Sequence, residues 1–163
     1  MNEPFPGRTR DPVPDGATGA DIERLRSAIE LSRRCPPSET AFSVGALVLD
    51  ADGEVLADGY SRRDTWHDHA EESALRSVDP ADPRLRTATL YSSLEPCTVR
   101  AARPRSCSEL ILETPIPRIV FAWHEPAIFV DCDGAEQLRA AGRTVVEVPR
   151  LAPLAREVNA HLL

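Results

Sequence analysis

The sequence His67-Asp68-His69-Ala70-Glu71 is followed further along the chain by Glu95-Pro96-Cys97, and nine residues then separate Cys97 from Cys107. One imidazole and two thiolates are good zinc ligands, and three protein ligands leave a tetrahedral zinc ion with one open position. A water molecule in that position has its pKa lowered from 15.7 to roughly 7. We therefore interpret His69, Cys97 and Cys107 as a zinc site of the open, catalytic type.

A carboxylate beside this site can transfer protons, which is the second requirement of the chemistry. Glu71 lies two residues past His69, where it can reach the water without occupying the metal. In hydrolytic deamination such a carboxylate takes a proton from the water and delivers protons to the ring nitrogen and the departing ammonia. The offset fits His69 and not His67, to which we assign no role. Glu72 is expected to be a solvated helix residue, and Glu95 either braces the zinc loop or caps a helix.

These residues resemble the cytidine and deoxycytidylate deaminase superfamily, whose signature is His-x-Glu followed by Pro-Cys-x-x-Cys. Ten positions, instead of three, separate the two cysteines here. The residues around Cys97, together with Arg103-Pro104 before Cys107, resemble the deaminase domain of riboflavin biosynthesis, which has a long, basic, proline-containing loop. In that family a histidine usually follows the first cysteine, at about the place of Val99.

The resemblance also implies substrate contacts. Ser61 stands near the place of an asparagine that contacts base or sugar in relatives, and Arg103 near a basic residue that could bind a phosphate. Arg103 could instead be a solvated loop residue. This is the favoured interpretation for Arg100. An aromatic residue after the fourth strand could stack on the substrate, although core or dimer packing is the favoured use. The candidate substrate contacts are Phe42, Ser61, Ala70, Arg103 and Phe129.

Hydrophobic periodicity predicts alternating helices and strands. Helices are expected from Asp21 to before Cys35, and over 69–78, 107–113, 135–141 and 151–162; strands are expected over 41–50, 55–57, 88–92, 118–123 and 144–148. A helical crossover between the last two strands favours a parallel pair. The expected fold is a three-layer α/β/α domain of the cytidine-deaminase type, with a mixed sheet of about five strands. Residues 1–19 are predicted to be a flexible arm, and 20–163 the deaminase domain.

Composition limits the cellular setting and the partners. A chain of 163 residues corresponds to about one domain. No apolar run approaches the ~20 residues of a membrane span and no signal peptide is recognised, so we expect a cytoplasmic protein. The cysteines outside the zinc site, Cys35 and Cys132, are then favoured as thiols over a disulfide. The formal net charge of −7 disfavours a nucleic-acid substrate.

The sequence thus predicts a zinc-dependent hydrolytic deaminase that converts an amino group on a small heterocycle to a carbonyl. A pyrimidine nucleotide of the riboflavin or deoxycytidylate type is the favoured substrate. The alternative is a free base or nucleoside, such as cytosine, guanine or an s-triazine. A non-catalytic zinc module is disfavoured, because structural zinc sites normally have four protein ligands. The superfamily and the apolar stretch 123–130 indicate a homodimer.

Overall fold

A computed structural model describes residues 16–98, 100, 103–124 and 133–163 of the chain. Within these residues, helices and strands alternate, with short 3-10 turns at Pro83–Thr87, Pro149–Leu151 and Ala160–Leu162. The elements in chain order are α1 (Gly19–Ser32), β1 (Gly45–Leu49), β2 (Val55–Tyr60), α2 (Ala70–Arg76), β3 (Thr89–Leu94), α3 (Cys107–Leu112), β4 (Arg118–Trp123), α4 (Gly134–Ala140), β5 (Thr144–Glu147) and α5 (Ala152–Val158). None of the described helices is long and apolar enough to cross a membrane.

The five strands form one mixed sheet in the order β2-β1-β3-β4-β5. Strand β1 is antiparallel to both of its neighbours, whereas β3, β4 and β5 run parallel. Helices α1 and α5 pack together on one side, and α2, α3 and α4 form a connected row on the other. The predicted three-layer fold, including the parallel pair of β4 and β5, is confirmed.

Strand β1 is shorter than predicted and is buried on both faces. It begins at Gly45 rather than at residue 41, and all of its residues are buried, as its apolar sequence indicates. A turn at Asp52-Gly53, a residue pair typical of tight hairpin turns, joins it to β2, with Gly53 at φ 84°. The Asp50 carboxylate accepts hydrogen bonds from the backbone N–H groups of Asp52 and Glu54 and so closes the turn.

Helix α1 begins at Gly19, two residues before the predicted start. The Thr18 hydroxyl accepts from the Asp21 backbone N–H, and the Asp21 carboxylate accepts from the Thr18 backbone N–H, which forms a capping box. Aspartate replaces the usual glutamate or glutamine of this motif, so the sequence signal was weaker. Residues 1–15, most of the predicted arm, lie outside the described residues, and the arm stays a prediction.

The carboxylate of Asp21 also connects α1 to the centre of the sheet. It accepts two hydrogen bonds of 2.7 Å from the Arg118 guanidinium in β4 and one of 2.7 Å from the Tyr91 hydroxyl in β3. Burial alone would raise the pKa of Asp21, but the hydrogen bonds from Arg118, Thr18 and Tyr91 hold it well below its usual value. The ionised carboxylate therefore stabilises the fold.

We predict that Asp21→Asn lowers the free energy of unfolding by about 2 kcal/mol at neutral pH, because hydrogen bonds to a charged group are lost. The folded-state pKa of Asp21 lies below the ordinary value of 3.8, so this stability is complete above about pH 4 and declines as the pH falls. Denaturant unfolding of both proteins across this range measures the difference.

Tyr91→Phe is the graded control for this experiment. It removes one hydrogen bond and keeps the carboxylate with Arg118, so a loss of about 1 kcal/mol is expected. Equal stability of the wild type and Asp21→Asn at neutral pH would contradict the role given to this cluster.

Candidate active site

The site forms where β3 ends in the middle of the sheet. After Leu94 the chain continues as Glu95-Pro96-Cys97, and α2 and α3 begin next to this segment. His69 is the N-cap residue of α2, with an extended backbone and no capping hydrogen bond from its side chain, so the ring is free for another use. Cys107 is the first residue of α3, whose N-cap is Ser106. Ligand sites in α/β proteins commonly lie at this carboxyl edge of parallel strands.

Two glycines allow the segments around the site to approach closely. A Cβ atom on Gly59 in β2 would overlap the Ala70 carbonyl oxygen and the Ala74 backbone nitrogen of α2. A Cβ atom on Gly134 would overlap the carbonyl oxygen of Pro96, the residue before Cys97. These close contacts determine how near α2 and the segment of Cys97 lie to the sheet and to α4.

The structure brings His69, Cys97 and Cys107 together, with their ligand atoms all within 4.8 Å of one another. The Nδ1 atom of His69 lies 3.5 Å from the Cys97 Sγ and 3.4 Å from the Cys107 Sγ. A tetrahedral zinc ion with ordinary Zn–N and Zn–S bonds would separate nitrogen and sulfur by about 3.5 Å. One imidazole nitrogen and two sulfurs at this spacing therefore fit zinc. Within the described residues, this is the one group of three side chains that could hold a metal ion.

The pKa values of the two thiols are shifted in opposite directions. The Cys107 backbone N–H donates to the Cys97 Sγ over 3.3 Å, and Cys107 is fully buried. Hydrogen bonds from the Cys107 thiol and from His69 outweigh burial and lower the pKa of Cys97 to about 4. The same bond to Cys97, together with burial, raises the pKa of the Cys107 thiol. The metal-free pair thus keeps a proton that zinc binding must displace.

Glu71 lies on the first turn of α2 and is buried. Its Oε1 atom accepts a hydrogen bond of 2.7 Å from the Ser92 hydroxyl of β3. It interacts electrostatically with Cys97 and His69, and burial raises its pKa, an effect that the Ser92 hydrogen bond opposes. Ser92 was not predicted as part of the site, because nothing in the local sequence of β3 distinguishes it from Ser93.

The loop before His69 is held in place by hydrogen bonds of residues that were not predicted from the sequence to be part of the site. The Asp68 carboxylate accepts from the backbone N–H groups of Asp64 and Thr65 and, at 2.8 Å, from Arg76 of α2. Arg62, at φ 60°, is buried, and its guanidinium donates to the carbonyl oxygens of Pro36 and Phe42 and to the Ser43 hydroxyl. These contacts fix the direction in which the chain enters α2.

Two predictions about side chains near the cysteines are wrong. Arg100 was expected in a solvated loop, but its side chain is only 2% exposed and donates to Glu72 over 3.0 Å and to the His67 carbonyl over 2.7 Å. Glu72 was expected to be solvated, yet its side chain is 17% exposed and pairs with Arg100. The ion pair shields both charges from most of the solvent, which neither local sequence indicated.

Arg103 is the more accessible arginine of this segment, with a side chain that is 33% exposed. Its guanidinium donates to the Thr65 hydroxyl over 3.0 Å and lies 3.5 Å from an Asp68 oxygen. These contacts attach it to the loop before His69. Its contact with a substrate phosphate stays a prediction.

Glu95 caps a helix, one of the two alternatives considered for it, but the helix is distant in sequence. Its Oε2 atom accepts from the Ala135 backbone N–H in the first turn of α4. Its Oε1 atom lies 2.7 Å from the Nδ1 of His124, which follows β4. Glu95 thereby joins the segment before Cys97 to two neighbouring elements.

The other predicted substrate contacts are buried or lie outside the described residues. Phe42 packs edge-to-face against Trp123, with ring centroids 5.3 Å apart, so core packing accounts for this pair. The Ser61 hydroxyl exchanges hydrogen bonds with the Val44 backbone, and Ala70 is fully buried at the start of α2. Phe129, Val99 and Cys132 lie outside the described residues.

Cys35 and His67 were not assigned to the zinc site from the sequence. Cys35 is a free, half-buried thiol whose Sγ contacts the Val44 carbonyl oxygen. His67 is exposed and contributes its backbone carbonyl, rather than its ring, to the contact with Arg100. His69, and not His67, lies with the cysteines.

Comparison with known proteins identifies the family. The family model described as "Cytidine and deoxycytidylate deaminase zinc-binding region" matches residues 19–123. The chain belongs to this family. The resemblance inferred from the sequence is therefore confirmed, and zinc, the metal indicated by the donor set, is the cofactor of this domain.

Riboflavin-pathway proteins are among the relatives. The diaminohydroxyphosphoribosylamino-pyrimidine deaminase of Schizosaccharomyces pombe is 36% identical over 77% of this chain and 31% of its own length. The riboflavin biosynthesis protein RibD of Actinobacillus pleuropneumoniae is 32% identical over 83% of this chain and 35% of its own length. The chain thus spans about a third of these curated relatives.

Solved structures agree with this relationship. RibD of Acinetobacter baumannii superposes with a TM-score of 0.72 and 26% identity, over 88% of this chain and 39% of that protein. A diaminohydroxyphosphoribosylaminopyrimidine deaminase/5-amino-6-(5-phosphoribosylamino)uracil reductase from Thermotoga maritima gives a TM-score of 0.69 and 30% identity, over 85% and 39%. The fold assigned above is that of this branch of the family.

We predict that the purified protein holds about one zinc ion per chain and that Cys97→Ser and Cys107→Ser each lose most of it. Because zinc binding is coupled to folding of the site, both variants should also be less stable around α3. Metal analysis by mass spectrometry measures the occupancy. Cys35→Ser, which changes a thiol that contacts the Val44 carbonyl, is the matched control and should keep its zinc. Full occupancy in both other variants would overturn the ligand assignment.

Proposed function

We propose that this domain is a hydrolytic deaminase that replaces an amino group of a small aminated heterocycle with a carbonyl oxygen and releases ammonia. The observation that carries the proposal is the position of Glu71, a buried carboxylate that interacts electrostatically with His69 and Cys97 without being one of the three clustered donors. A structural zinc site has no use for a buried carboxylate in this place, since the carboxylate costs free energy when it is removed from water.

The proposed ligands are His69 through Nδ1 and Cys97 and Cys107 through Sγ. When bound there, zinc supplies a Lewis acid that makes water a nucleophile near neutral pH. His69 is oriented by its place at the start of α2, and Cys107 by the capping box of α3. Three protein donors leave one position of a tetrahedral ion for solvent or substrate.

Glu71 is proposed to move the protons of the reaction. Its carboxylate takes a proton from the attacking water and gives protons to the ring nitrogen and to the leaving amine. Burial raises the pKa of Glu71, which makes it a better proton acceptor than an exposed glutamate. Ser92 donates to Oε1 and holds the carboxylate in one orientation, which leaves Oε2 for the proton transfers.

Glu71→Gln should retain zinc and lose activity by at least ~10²–10⁴-fold, because the amide keeps the size of the side chain and cannot accept the proton. Ammonia release and metal content are measured on the same samples. Glu136→Gln, on the exposed side of α4, is the control that should keep full activity. If Glu71→Gln turned over normally, the proton-transfer role would belong to another group.

We propose a pyrimidine nucleotide as the substrate, of the kind named in the relatives from Schizosaccharomyces pombe and Thermotoga maritima. The basic segment before Cys107 supports this, since the planar guanidinium of arginine suits phosphate oxygens. The alternative substrates are a free base or nucleoside, such as cytosine, guanine or an s-triazine, which need no phosphate site. Ammonia release measured over a panel of aminated pyrimidines, purines and triazines separates the two classes.

Arg103 is the proposed phosphate contact because it is partly exposed and near the metal ligand His69, through Asp68 and Thr65. Arg103→Ala should raise KM for the nucleotide roughly ten- to hundredfold, the loss of a charge-assisted hydrogen bond of about 1.5–3 kcal/mol. The dephosphorylated analogue should be unaffected. Arg105→Ala, which removes an arginine paired with Glu113 on the surface, is the matched control. Equal loss on both substrates would favour the free-base alternative.

Three further proposals concern the oligomeric state of the protein, its location and nucleic acid as a substrate. We propose a homodimer, supported by the family resemblance and by the apolar sequence 123–130. A cytoplasmic location is supported by the free thiol of Cys35, and the net charge of −7 disfavours nucleic acid as the substrate. Light scattering should give a mass near twice 17.9 kDa at micromolar concentration. A mass of one chain would contradict the dimer.

A further inference from the structure

Among the described residues between the two cysteines, Arg100 has the most deeply buried of the arginine side chains that contact the neighbourhood of His69. Arg100 lies three residues after Cys97, and its guanidinium reaches Glu72 of α2 over 3.0 Å and the His67 carbonyl over 2.7 Å. Both partners flank the metal-ligand candidate His69 in the sequence. One side chain therefore connects the segment that carries the cysteines to both sides of the third ligand.

The burial of this contact distinguishes it from the surface ion pairs of the chain. The side chain of Arg100 is 2% exposed, whereas Arg105, in the same segment, is 58% exposed and pairs with Glu113 in solvent. A buried charge remains stable only where its partners compensate for the lost hydration. Exposed ion pairs such as that of Arg105 with Glu113 contribute little to stability.

The positive charge of Arg100 also acts on the thiols. It interacts electrostatically with Cys107 and Cys97 in addition to Glu72. Its Nε–H group is buried and has no hydrogen-bond partner among the described residues, although a buried donor without an acceptor is costly. The two thiolates of the metal-loaded site would place additional negative charge near this donor.

We propose that Arg100 is a positioning residue for the zinc site, which holds the segment between the cysteines against α2 and stabilises the paired thiolates. This deepens the proposed function and rests on its assignment of His69, Cys97 and Cys107 as ligands. The arginine fork makes two contacts in fixed directions at once, to a carboxylate and to a carbonyl oxygen. It therefore fixes the distance between the Cys97 segment and the start of α2 before metal binds, which lowers the entropy cost of bringing the ligands together.

The test compares zinc affinity in wild type, Arg100→Met, Arg100→Lys and Arg105→Met, by competition with a chromophoric chelator. Arg100→Met should bind zinc about 10–100-fold more weakly, the usual effect of removing a group that supports metal ligands. Arg100→Lys should be intermediate, because an ammonium keeps the ion pair with Glu72 and loses the planar fork. Arg105→Met should match the wild type.

A second measurement separates positioning from general loss of structure. Cobalt-substituted Arg100→Met should show shifted thiolate-to-cobalt absorption bands, while the thermal unfolding of its metal-free form stays close to that of the wild type. Glu72 then remains within 3.6 Å of Arg76 and 3.7 Å of Arg103, so it is not left as an unpaired buried charge. If Arg100→Met does not fold, Arg100→Lys and Glu72→Gln provide the same comparison.

Unchanged zinc affinity and an unchanged cobalt spectrum in Arg100→Met would overturn the proposal and leave the proposed function standing. A wild-type protein that binds no zinc, or a Cys97→Ser variant that binds it fully, would instead overturn the ligand assignment on which the proposal rests.

Discussion

The structure depends on one constraint, which is that an imidazole and two thiols from three separate segments must meet inside the protein. Their donor atoms lie 3.4–3.5 Å apart for the imidazole–thiol pairs, and a carboxylate is buried next to them. Groups that ionise are costly to bury unless hydrogen bonds compensate them. The contacts that converge here, from the Cys107 backbone and the Ser92 hydroxyl, supply part of that compensation.

The central part of the site could be predicted because it is encoded by residue type and short spacing. The offset between His69 and Glu71 places imidazole and carboxylate at the start of one helix, and Pro96-Cys97 directly follows a strand. The order of the last two strands could be predicted for a similar reason, since a helical connection between β4 and β5 favours a parallel pair.

The supporting contacts could not be predicted, because they join residues that are far apart in sequence. Glu95 and Ala135 are separated by 40 positions, and Arg100 and Glu72 by 28. A loop has no hydrophobic period that would indicate which of its charged side chains is buried. The sequence interpretation therefore placed Arg100 in solvent. It also placed Glu72 there, because a charged helix residue usually lies at the surface.

Strand β3 connects stability and chemistry through its pleat. Tyr91 points to α1, where its hydroxyl binds Asp21, and Ser92 points to the opposite face, where it binds Glu71. Since successive side chains of a strand alternate, a slip of one residue would exchange the two and direct the phenol ring toward the ligands. A backbone with intact secondary structure but this shifted pairing would lose the Tyr91 hydrogen bond to α1 and the Ser92 hydrogen bond that orients Glu71. Correct pairing of this strand with β1 and β4 during folding is thus a condition for assembling the site.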